Sequence, residues 1–427
     1  MIRLADTRDA EIIADVAAQA FGFPRGGERW QQLRREAEAH PGDHLVVEQD
    51  GCIVGALHLV PQRMWVDGAE VLECDVHNVA VVPERQGRGL GTELMEAAVN
   101  EMNRRGVAFS RLGGLARFYS RFGYCPFPRG MYEFPVEPVE GGARVLTPEE
   151  GFGLPAEVRP CVRRYNPRTD WKTCGRLWQQ MYAGRTGAPV RHFDEAADPP
   201  QAGPDPHGLD FVYDDGQVRG YACATILREG RVFRPCDGRV AVTEAAFEPD
   251  RPEALWAPLR RILLEAVRMN AWRVVARLPF DAVVERALIA GEIPFRRVEF
   301  AGGPACNMVR VVNLYVLTSS LRPVLERRAR DASVTLSRPL TLEVAGQAVI
   351  LRTDPAGSLH VESVLATGST AAEGSAVLDS AAMMALVLGL RTWPEISASC
   401  LHNLTPEQTR ALVHLFPPQP TATGLWG

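Results

Sequence analysis

A glycine-rich segment has the residue types and spacing that suit a phosphate-bearing ligand. Gln86, Gly89 and Gly91 give the pattern Q-x-x-G-x-G, after a β-branched run that stops at Pro83. Glycines lack a Cβ, so a phosphate can approach their main chain closely. Apolar residues at helical spacing predict that a helix begins here: Leu90, Leu94, Met95, Ala98 and Met102. Strand, glycine turn and helix together present free N–H groups and a positive helix end, which predicts an anion site.

The spacing of these glycines excludes two common nucleotide-binding motifs. No Gly-Lys-Ser/Thr closes the segment, so it is not a Walker loop. The dinucleotide fingerprint G-x-G-x-x-G has another spacing and needs an acidic residue after the next strand. From this segment alone, the remaining alternative is a turn that binds nothing.

A second segment that could take part in chemistry follows the predicted helix. Residues 107–112 are predicted to form a strand, and Ala116-Arg-Phe-Tyr-Ser-Arg-Phe-Gly-Tyr124 then gives a short helix that ends in an aromatic-Gly-aromatic pattern. Tyr119 carries a phenol whose ordinary pKa of about 10 keeps it protonated at neutral pH. It is a candidate proton donor. The alternative is a half-buried aromatic residue whose hydroxyl bonds a main-chain carbonyl.

Composition narrows the class of protein. A chain of 427 residues predicts two or three domains, and 46% hydrophobic with 23% charged residues is typical of a globular protein. Nine cysteines without a C-x-x-C pair favour reduced thiols, and no zinc spacing is present, so no metal is expected. With no membrane-length apolar run and no secretory leader, we expect a cytoplasmic protein. The net charge of −5 argues against nucleic acid and fits a cationic ligand.

The element order of the first region returns in the second. Residues 9–20 and 29–39 are predicted helices, and the predicted strands 44–48 and 52–59 flank an Asp50-Gly51 turn. A second hairpin turns at Asp215-Gly216, and a strand over 240–247, Pro249 and a helix over 254–269 then follow in the same order. We interpret this as an internal duplication. The second turn has no glycine, and Pro252 removes an N–H donor, so the second copy is predicted not to bind a cofactor.

The remaining chain predicts a connector and a third domain. Residues 135–160 are rich in Pro, Gly and Glu, and residues 192–208 are predicted to form an exposed loop. Strands over 340–344 and 348–352 and helices over 381–390 and 405–414 predict a compact α+β domain. The predicted fold class is therefore α/β (α+β), with domains at residues 1–150, 151–303 and 304–427.

The two motifs together resemble those of the GNAT N-acetyltransferases. An active GNAT module, a degenerate second one and a small C-terminal α+β domain resemble the enhanced intracellular survival family. That resemblance implies an acetyl-CoA-dependent acetyltransferase acting on amines of aminoglycosides or related polycations, with a third domain like a sterol carrier protein. It also implies a homo-oligomer, a trimer or hexamer.

The resemblance assigns cofactor contacts to particular positions. Val79, Ala80 and Val81 correspond to residues along the thioester arm of acetyl-CoA, and Gly114 and Leu115 to further cofactor contacts. The residues that correspond to the pyrophosphate loop are Gly87, Arg88, Gly89, Leu90, Gly91 and Thr92.

The same resemblance implies the acid and the base. Tyr119 matches the general acid, and the base is the terminal carboxylate, here on Gly427. The prolines of the tail and its apolar pair Leu425-Trp426 predict a tail that packs into the protein. The family ends in a bulky aromatic residue, whereas this chain ends in glycine. The region of the first two predicted helices borders the acceptor cleft in the GNAT fold. Its candidate acceptor contacts, each of which could equally be a core or a surface-loop residue, are Phe21, Phe23, Glu28 and Trp30. His58 and His77 are predicted core histidines rather than a second base.

Two other functions remain open at this point. The apolar helix over 381–390 could line a lipid cavity in a regulatory protein, although a packed core helix is the commoner explanation. Alternatively the acceptor could be a protein lysine.

Overall fold

The computed structural model describes residues 1–136, 151–194, 196–198, 200, 208–227, 239–354, 358–366 and 371–422. We number the α-helices α1 (Ala10–Phe21), α2 (Glu28–Ala39), α3 (Leu90–Arg104), α4 (Ala116–Tyr119), α5 (Trp171–Tyr182), α6 (Glu253–Arg268), α7 (Ala282–Ala290), α8 (Leu314–Asp331), α9 (Ser380–Val387), α10 (Trp393–Ser397) and α11 (Pro406–Leu415). The strands are β1 (Ile2–Leu4), β2 (His44–Gln49), β3 (Cys52–Val66), β4 (Ala69–Val81), β5 (Phe109–Leu115), β6 (Cys125–Pro126), β7 (Arg129–Phe134), β8 (Val162–Arg164), β9 (Phe211–Asp214), β10 (Val218–Leu227), β11 (Arg239–Phe247), β12 (Arg273–Ala276), β13 (Arg296–Phe300), β14 (Ala305–Val311), β15 (Leu340–Val344), β16 (Gln347–Thr353), β17 (Leu359–Leu365), β18 (Ser375–Leu378) and β19 (Leu401–His402).

The first sheet has the order β1-β2-β3-β4-β5-β14-β6. Its β2–β3 hairpin turns at Asp50 and Gly51, with φ of 53° and 75°. Asp and Gly tolerate these left-handed angles, so the predicted Asp-Gly hairpin is confirmed. One face of this sheet packs against α3, whose apolar side is buried with Cys74, Val76 and Leu112. The other face packs against α1 and the end of α2.

The second sheet repeats this arrangement strand for strand. Its order, β8-β9-β10-β11-β12-β7-β13, matches the first sheet position by position. In both sheets the fourth and fifth strands are parallel, β4 with β5 and β11 with β12. The predicted duplication is therefore visible in the topology, and the chain is a mixed α/β protein.

Two strands cross the boundaries that the sequence indicates. β7 lies within predicted residues 1–150, yet it pairs with β12 and β13 of the second sheet. β14 lies within predicted residues 304–427, yet it pairs with β5 and β6 of the first sheet. Accordingly, the first compact unit contains Met1–Met64, Ala69–Pro128 and Ala301–Pro418. Within the described ranges, the second contains Trp65–Gly68, Arg129–Phe300 and Gln419–Gly427. The division into three domains stays a prediction.

The C-terminal region contributes a third sheet, with the order β17-β16-β15-β18-β19. The predicted strands over 340–344 and 348–352 are β15 and β16, which pair antiparallel. Thr405 caps α11 by accepting a hydrogen bond from the main-chain N–H of Gln408, with Pro406 in the first turn, as predicted. No helix among the described residues is long and apolar enough to cross a membrane. The likeness to a sterol carrier protein stays a prediction.

Candidate active site

The candidate site begins where β4 and β5 separate. Their parallel pairing runs from Glu73 to Asp75 on β4, and Asp75 lies opposite Arg111. β5 continues beyond that point to Leu115, paired along its whole length with β14 on its other side. Asn78 on β4 has φ of 52°, a left-handed angle that is uncommon for a residue other than glycine. Cys74, Val76 and Val79 all pack in the α3-facing core, so the alternation along β4 shifts by one residue at Asn78. The strands therefore form an open wedge beside residues 79–81.

The glycine turn at the end of β4 leaves main-chain donors free. Gly87 and Gly89 have φ of 73° and 89°, which only residues without a Cβ adopt readily. Gln86 fixes the turn by donating from Nε2 to the main-chain oxygen of Val81 at 2.8 Å. Within the described chain, the main-chain N–H groups of residues 87–91 have no hydrogen-bond acceptor. These donors at a helix start fit the pyrophosphate of a nucleotide cofactor.

In the corresponding turn of the second copy, several main-chain N–H groups already donate to main-chain oxygens of the same turn. The main-chain N–H of Arg251 bonds the oxygen of Glu248, and that of Ala254 bonds the oxygen of Arg251. The N–H of Leu255 bonds the oxygen of Pro252, which itself has no N–H to offer. A phosphate would find few free donors here. That the second copy does not bind a cofactor stays a prediction.

Tyr119 lies directly on the main chain of β5. A Cβ added to Gly114 would be 2.3 Å from Cε2 of the Tyr119 ring, which is too close for two carbon atoms. Helix α4 carries Tyr119, and a Cβ added to Gly91 would lie 3.4 Å from Phe118 on the same helix. The two motifs predicted from the sequence are therefore brought together, with glycine at each close approach.

The phenol of Tyr119 is a half-buried acid. Burial raises the pKa of Tyr119 to about 12, so the hydroxyl keeps its proton throughout the neutral range. The ring stacks edge-on against Phe118, with 4.9 Å between centroids. Among the described residues, no group bonds its hydroxyl. The alternative of a hydroxyl held by a main-chain carbonyl is thus not what the structure has.

The structure places the other predicted cofactor residues around the wedge and the turn. Ala80 is buried, whereas Val79 and Val81 are half-buried on the open stretch of β4. Leu115 is exposed at the end of β5. The remaining residues surround the start of α3 with mixed exposure: Gly87, Arg88 and Gly89 are exposed, Gly91 and Thr92 are half-buried, and Leu90 is buried.

A buried ion network at the base of the wedge was not predicted from the sequence. The guanidinium of Arg111 donates to Glu73 Oε1 at 2.6 Å and to Asp75 Oδ2 at 2.9 Å. Burial raises the pKa of Glu73, and the neighbouring Asp75 charge acts in the same direction. The available signal was three acidic residues in one strand, Glu70, Glu73 and Asp75, of which the last two contact Arg111. The network joins β4 to β5 at the last residues before they separate.

Three histidines lie on neighbouring strands of the same sheet. His44 and His58 stack with ring centroids 4.0 Å apart, and burial lowers the pKa of His58 to about 3. His58 is therefore in the core, as the sequence predicted, although its buried Nδ1 makes no hydrogen bond in the described part of the chain. His77 differs from that prediction, because 52% of its side chain is exposed and its Nε2 lies 3.9 Å from Asp75 Oδ2.

The candidate acceptor residues of the α1–α2 region divide into core and surface. Trp30 is buried, and its Nε1 donates to Asp15 Oδ1 at 2.8 Å. Phe21 and Phe23 are partly buried against the same cluster, and Glu28 is exposed. The structure gives none of them a role in binding.

The tail is buried at Ala422, the last described residue, whereas Pro418 and Pro420 before it are exposed. Ala422 is fully buried, and its main-chain N–H bonds the oxygen of Thr186 at 2.8 Å. The packing of the apolar pair Leu425-Trp426 stays a prediction, because both residues lie outside the described ones. Gly427, the predicted base, lies outside the described residues.

The first part of the chain is similar to known proteins. Residues 1–127 match the family described as "Acetyltransferase (GNAT) domain". The chain is also 29% identical over 125 residues to an uncharacterized N-acetyltransferase, YjhQ, from Escherichia coli K12. That match covers 29% of this chain and 68% of YjhQ.

Solved structures resemble the fold over nearly the whole chain. A GCN5-related N-acetyltransferase from Anabaena variabilis has a TM-score of 0.61 at 15% identity, covering 99% of this chain and 98% of its own. Eis1 from Mycobacterium abscessus has a TM-score of 0.58 at 17% identity, again with 99% and 98% covered. A probable N-acyltransferase from Enterococcus faecalis has a TM-score of 0.64 at 13% identity, with 99% and 97% covered. At these identities the likeness establishes the fold.

Proposed function

We propose that the chain, whose residues 1–127 match the family described as "Acetyltransferase (GNAT) domain", transfers acetyl from acetyl-CoA to a primary amine of a cationic acceptor. The acceptor class is aminoglycoside-like or polyamine-like. The observation that carries the proposal is the set of main-chain N–H groups at residues 87–91 that have no acceptor among the described residues, beside the open wedge of β4 and β5. GNAT acetyltransferases use acetyl-CoA, and this turn fits its diphosphate.

Three groups of residues at the wedge and the glycine turn bind acetyl-CoA in this proposal. The N–H groups of residues 87–91 bind the diphosphate, with Arg88 and Thr92 beside it. Main-chain groups of residues 79–81 on the open side of β4 run along the thioester arm and polarise its carbonyl. Gly114 and Leu115 form the opposite wall on β5. Bound acetyl-CoA supplies an activated acetyl group.

Tyr119 acts as the general acid. The thiolate that leaves as the amide bond forms needs a proton, and the Tyr119 phenol holds one at every pH near neutrality. The hydroxyl has no described partner, so it is available to donate. Gly114 fixes the ring beside β5 because any side chain there would displace it.

The terminal carboxylate of Gly427 is the proposed general base. An alkylamine is mostly protonated near neutrality and must lose a proton to attack the thioester. A carboxylate beside the amine binds the cation and then accepts that proton. Ala422 is fixed in the core, and five residues beyond it span at most about 17 Å when extended. This role, like the oligomer implied by the resemblance, stays a prediction.

The lipid-binding alternative has less support from the structure. It requires the apolar helix over 381–390 to line a cavity. Helix α9 instead has Met383, Met384 and Leu386 fully buried, as in a packed core helix. A protein lysine as the acceptor would use the same chemistry with another partner.

A thiol-release assay tests the proposal. Acetyl-CoA turnover is followed against panels of aminoglycosides, polyamines and lysine peptides. The proposal requires acceptor-dependent thiol release with at least one aminoglycoside or polyamine. Turnover with peptides alone would assign a protein acceptor, and no acceptor-dependent release across the panels would contradict the proposed function.

A further inference from the structure

A cavity of about 430 Å³ lies in the first unit, away from the glycine turn. It is bounded by the C-terminal half of α3, the end of β14, the β15–β16 turn and the end of β17. Asn103 of its wall is 13 residues beyond Leu90 on α3, or about 20 Å along the helix axis. The proposed diphosphate site is at the other end of that helix.

The charged group of this cavity is Arg310. It is half-buried on β14, opposite Ser110 of β5. Its guanidinium lies against the turn at Gly123, where an added Cβ would be 3.0 Å from Nη1. Burial lowers the pKa of Arg310, but a guanidinium remains protonated in water at any ordinary pH.

Arg310 has no acidic partner in the described part of the chain. Its Nε is buried and makes no hydrogen bond there. Arg105, just beyond α3, instead has the carboxylate partners that are usual for a partly buried arginine. It pairs with Asp43 at 2.5 Å and with Glu101 at 2.7 Å. A half-buried cation without a counterion is costly, so the site favours an anion.

The polar wall around Arg310 is held in place. Asn313 caps α8 by accepting from the N–H of Val316, and it donates to Asn103 Oδ1 at 2.9 Å. Gln347 accepts from the N–H of Leu314 at 2.8 Å. The Nδ2 of Asn103 has no acceptor in the described part of the chain, so its N–H groups remain as donors at the cavity wall. Apolar residues complete the lining: Val99, Val364 and Leu365.

We propose that this cavity binds the carboxylate or phosphate group of a small organic anion, with Arg310 as its counterion. A guanidinium binds both groups through paired N–H donors, and the amide of Asn103 adds a neutral one. The apolar residues accommodate the body of the ligand. This site is independent of the proposed acetyl transfer.

Calorimetry on the full chain tests the site. The protein is saturated with coenzyme A, so that the glycine turn is filled, and is titrated separately with inorganic phosphate and with benzoate. Arg310→Gln should weaken binding at least about 10-fold, because it removes the charge and the fork. Arg104→Gln, an exposed arginine on α3 that pairs with Glu101, is the matched control and should bind like the wild type.

The two anions distinguish the ligand groups. Binding of phosphate alone assigns a phosphate ligand, binding of benzoate alone a carboxylate, and binding of both supports the shared oxyanion site. If Arg310→Gln does not fold, Arg310→Lys keeps the charge without the fork and should still weaken binding. Failure of both anions to bind the wild type, or unchanged binding in the folded Arg310 variant, would overturn the proposal. If anion binding depends on Arg310, the anion is bound in this cavity, and that conclusion holds whether or not coenzyme A binds at the glycine turn.

Discussion

The ring of Tyr119 occupies the space where a side chain of residue 114 would be. A Cβ on Gly114 would be 2.3 Å from Cε2 and 3.0 Å from Cδ2 of that ring. The absence of a side chain at Gly114 therefore allows the ring of the proposed acid to lie against β5. This relationship makes the glycine a positioning residue rather than a turn residue.

Gly114→Ala should reduce turnover by displacing Tyr119. A shift of about 1 Å in a reacting group costs up to about 100-fold in rate, so a fall in kcat of roughly 10- to 100-fold is expected. Steady-state kinetics measure it. The control is Gly113→Ala, one residue earlier on β5, where an added Cβ meets only Asn307 at 3.8 Å. Equal kcat for the two variants would show that the ring position is unimportant.

Tyr119→Phe should lower kcat about 100-fold or more while acetyl-CoA affinity stays near the wild-type value. The phenylalanine keeps the ring on Gly114 but has no proton to donate. Since burial raises the pKa of Tyr119 to about 12, wild-type kcat should show no loss from its ionisation below about pH 10. Normal turnover of the variant would remove Tyr119 from the mechanism.

Deletion of Trp426 and Gly427 tests the proposed base separately. The shortened chain keeps Ala422 and its bond to Thr186, so the fold should be retained. The carboxylate is displaced, and kcat should fall about 100-fold with little change in acetyl-CoA affinity. Undiminished activity would mean that another group accepts the proton.

His58 should make the fold sensitive to acid. Its pKa is about 3 in the folded chain and 6.5 when unfolded, so below pH 6.5 the unfolded chain binds more protons. The stabilising contribution is complete above pH 6.5 and is lost as the pH falls toward 3. After allowance for solvent screening, the loss at pH 5 is on the order of 1 to 2 kcal/mol.

Urea unfolding at pH 7 and pH 5 measures this loss. His58→Phe preserves the stack on His44 but cannot be protonated, so the difference between the two pH values should shrink. The pKa values of His44 and His77 are also lowered by burial, so part of the acid sensitivity should remain. An identical pH difference in the wild type and the variant would contradict the assignment to His58.

Local features of the fold were predictable from the sequence. The Asp50-Gly51 hairpin, the start of α3 at Gly89 and the cap at Thr405 all depend on residues that are neighbours in the chain. The duplication was predictable because the same local signals recur in the same order. The close approach of the two motifs followed from their resemblance to a known family.

Long-range pairings were not predictable. β7 and β14 each look like an ordinary strand, and nothing in a single strand specifies which sheet it joins. Arg111 is 38 residues from Glu73 in sequence, so only the parallel pairing of β4 and β5 reveals their contact. His77 was predicted to be in the core because strand periodicity does not show that the sheet opens beside it.

Binding of acetyl-CoA to the glycine turn is the most direct test of the whole account. Calorimetry compares the wild type with Gly89→Ala, which adds a Cβ at φ of 89°. Gly106→Ala, at φ of 70° just after α3, carries similar backbone strain away from the turn and serves as the control. The account predicts tight binding by the wild type and the control and at least about 10-fold weaker binding by Gly89→Ala. No binding by the wild type, or equal binding by all three proteins, would contradict it.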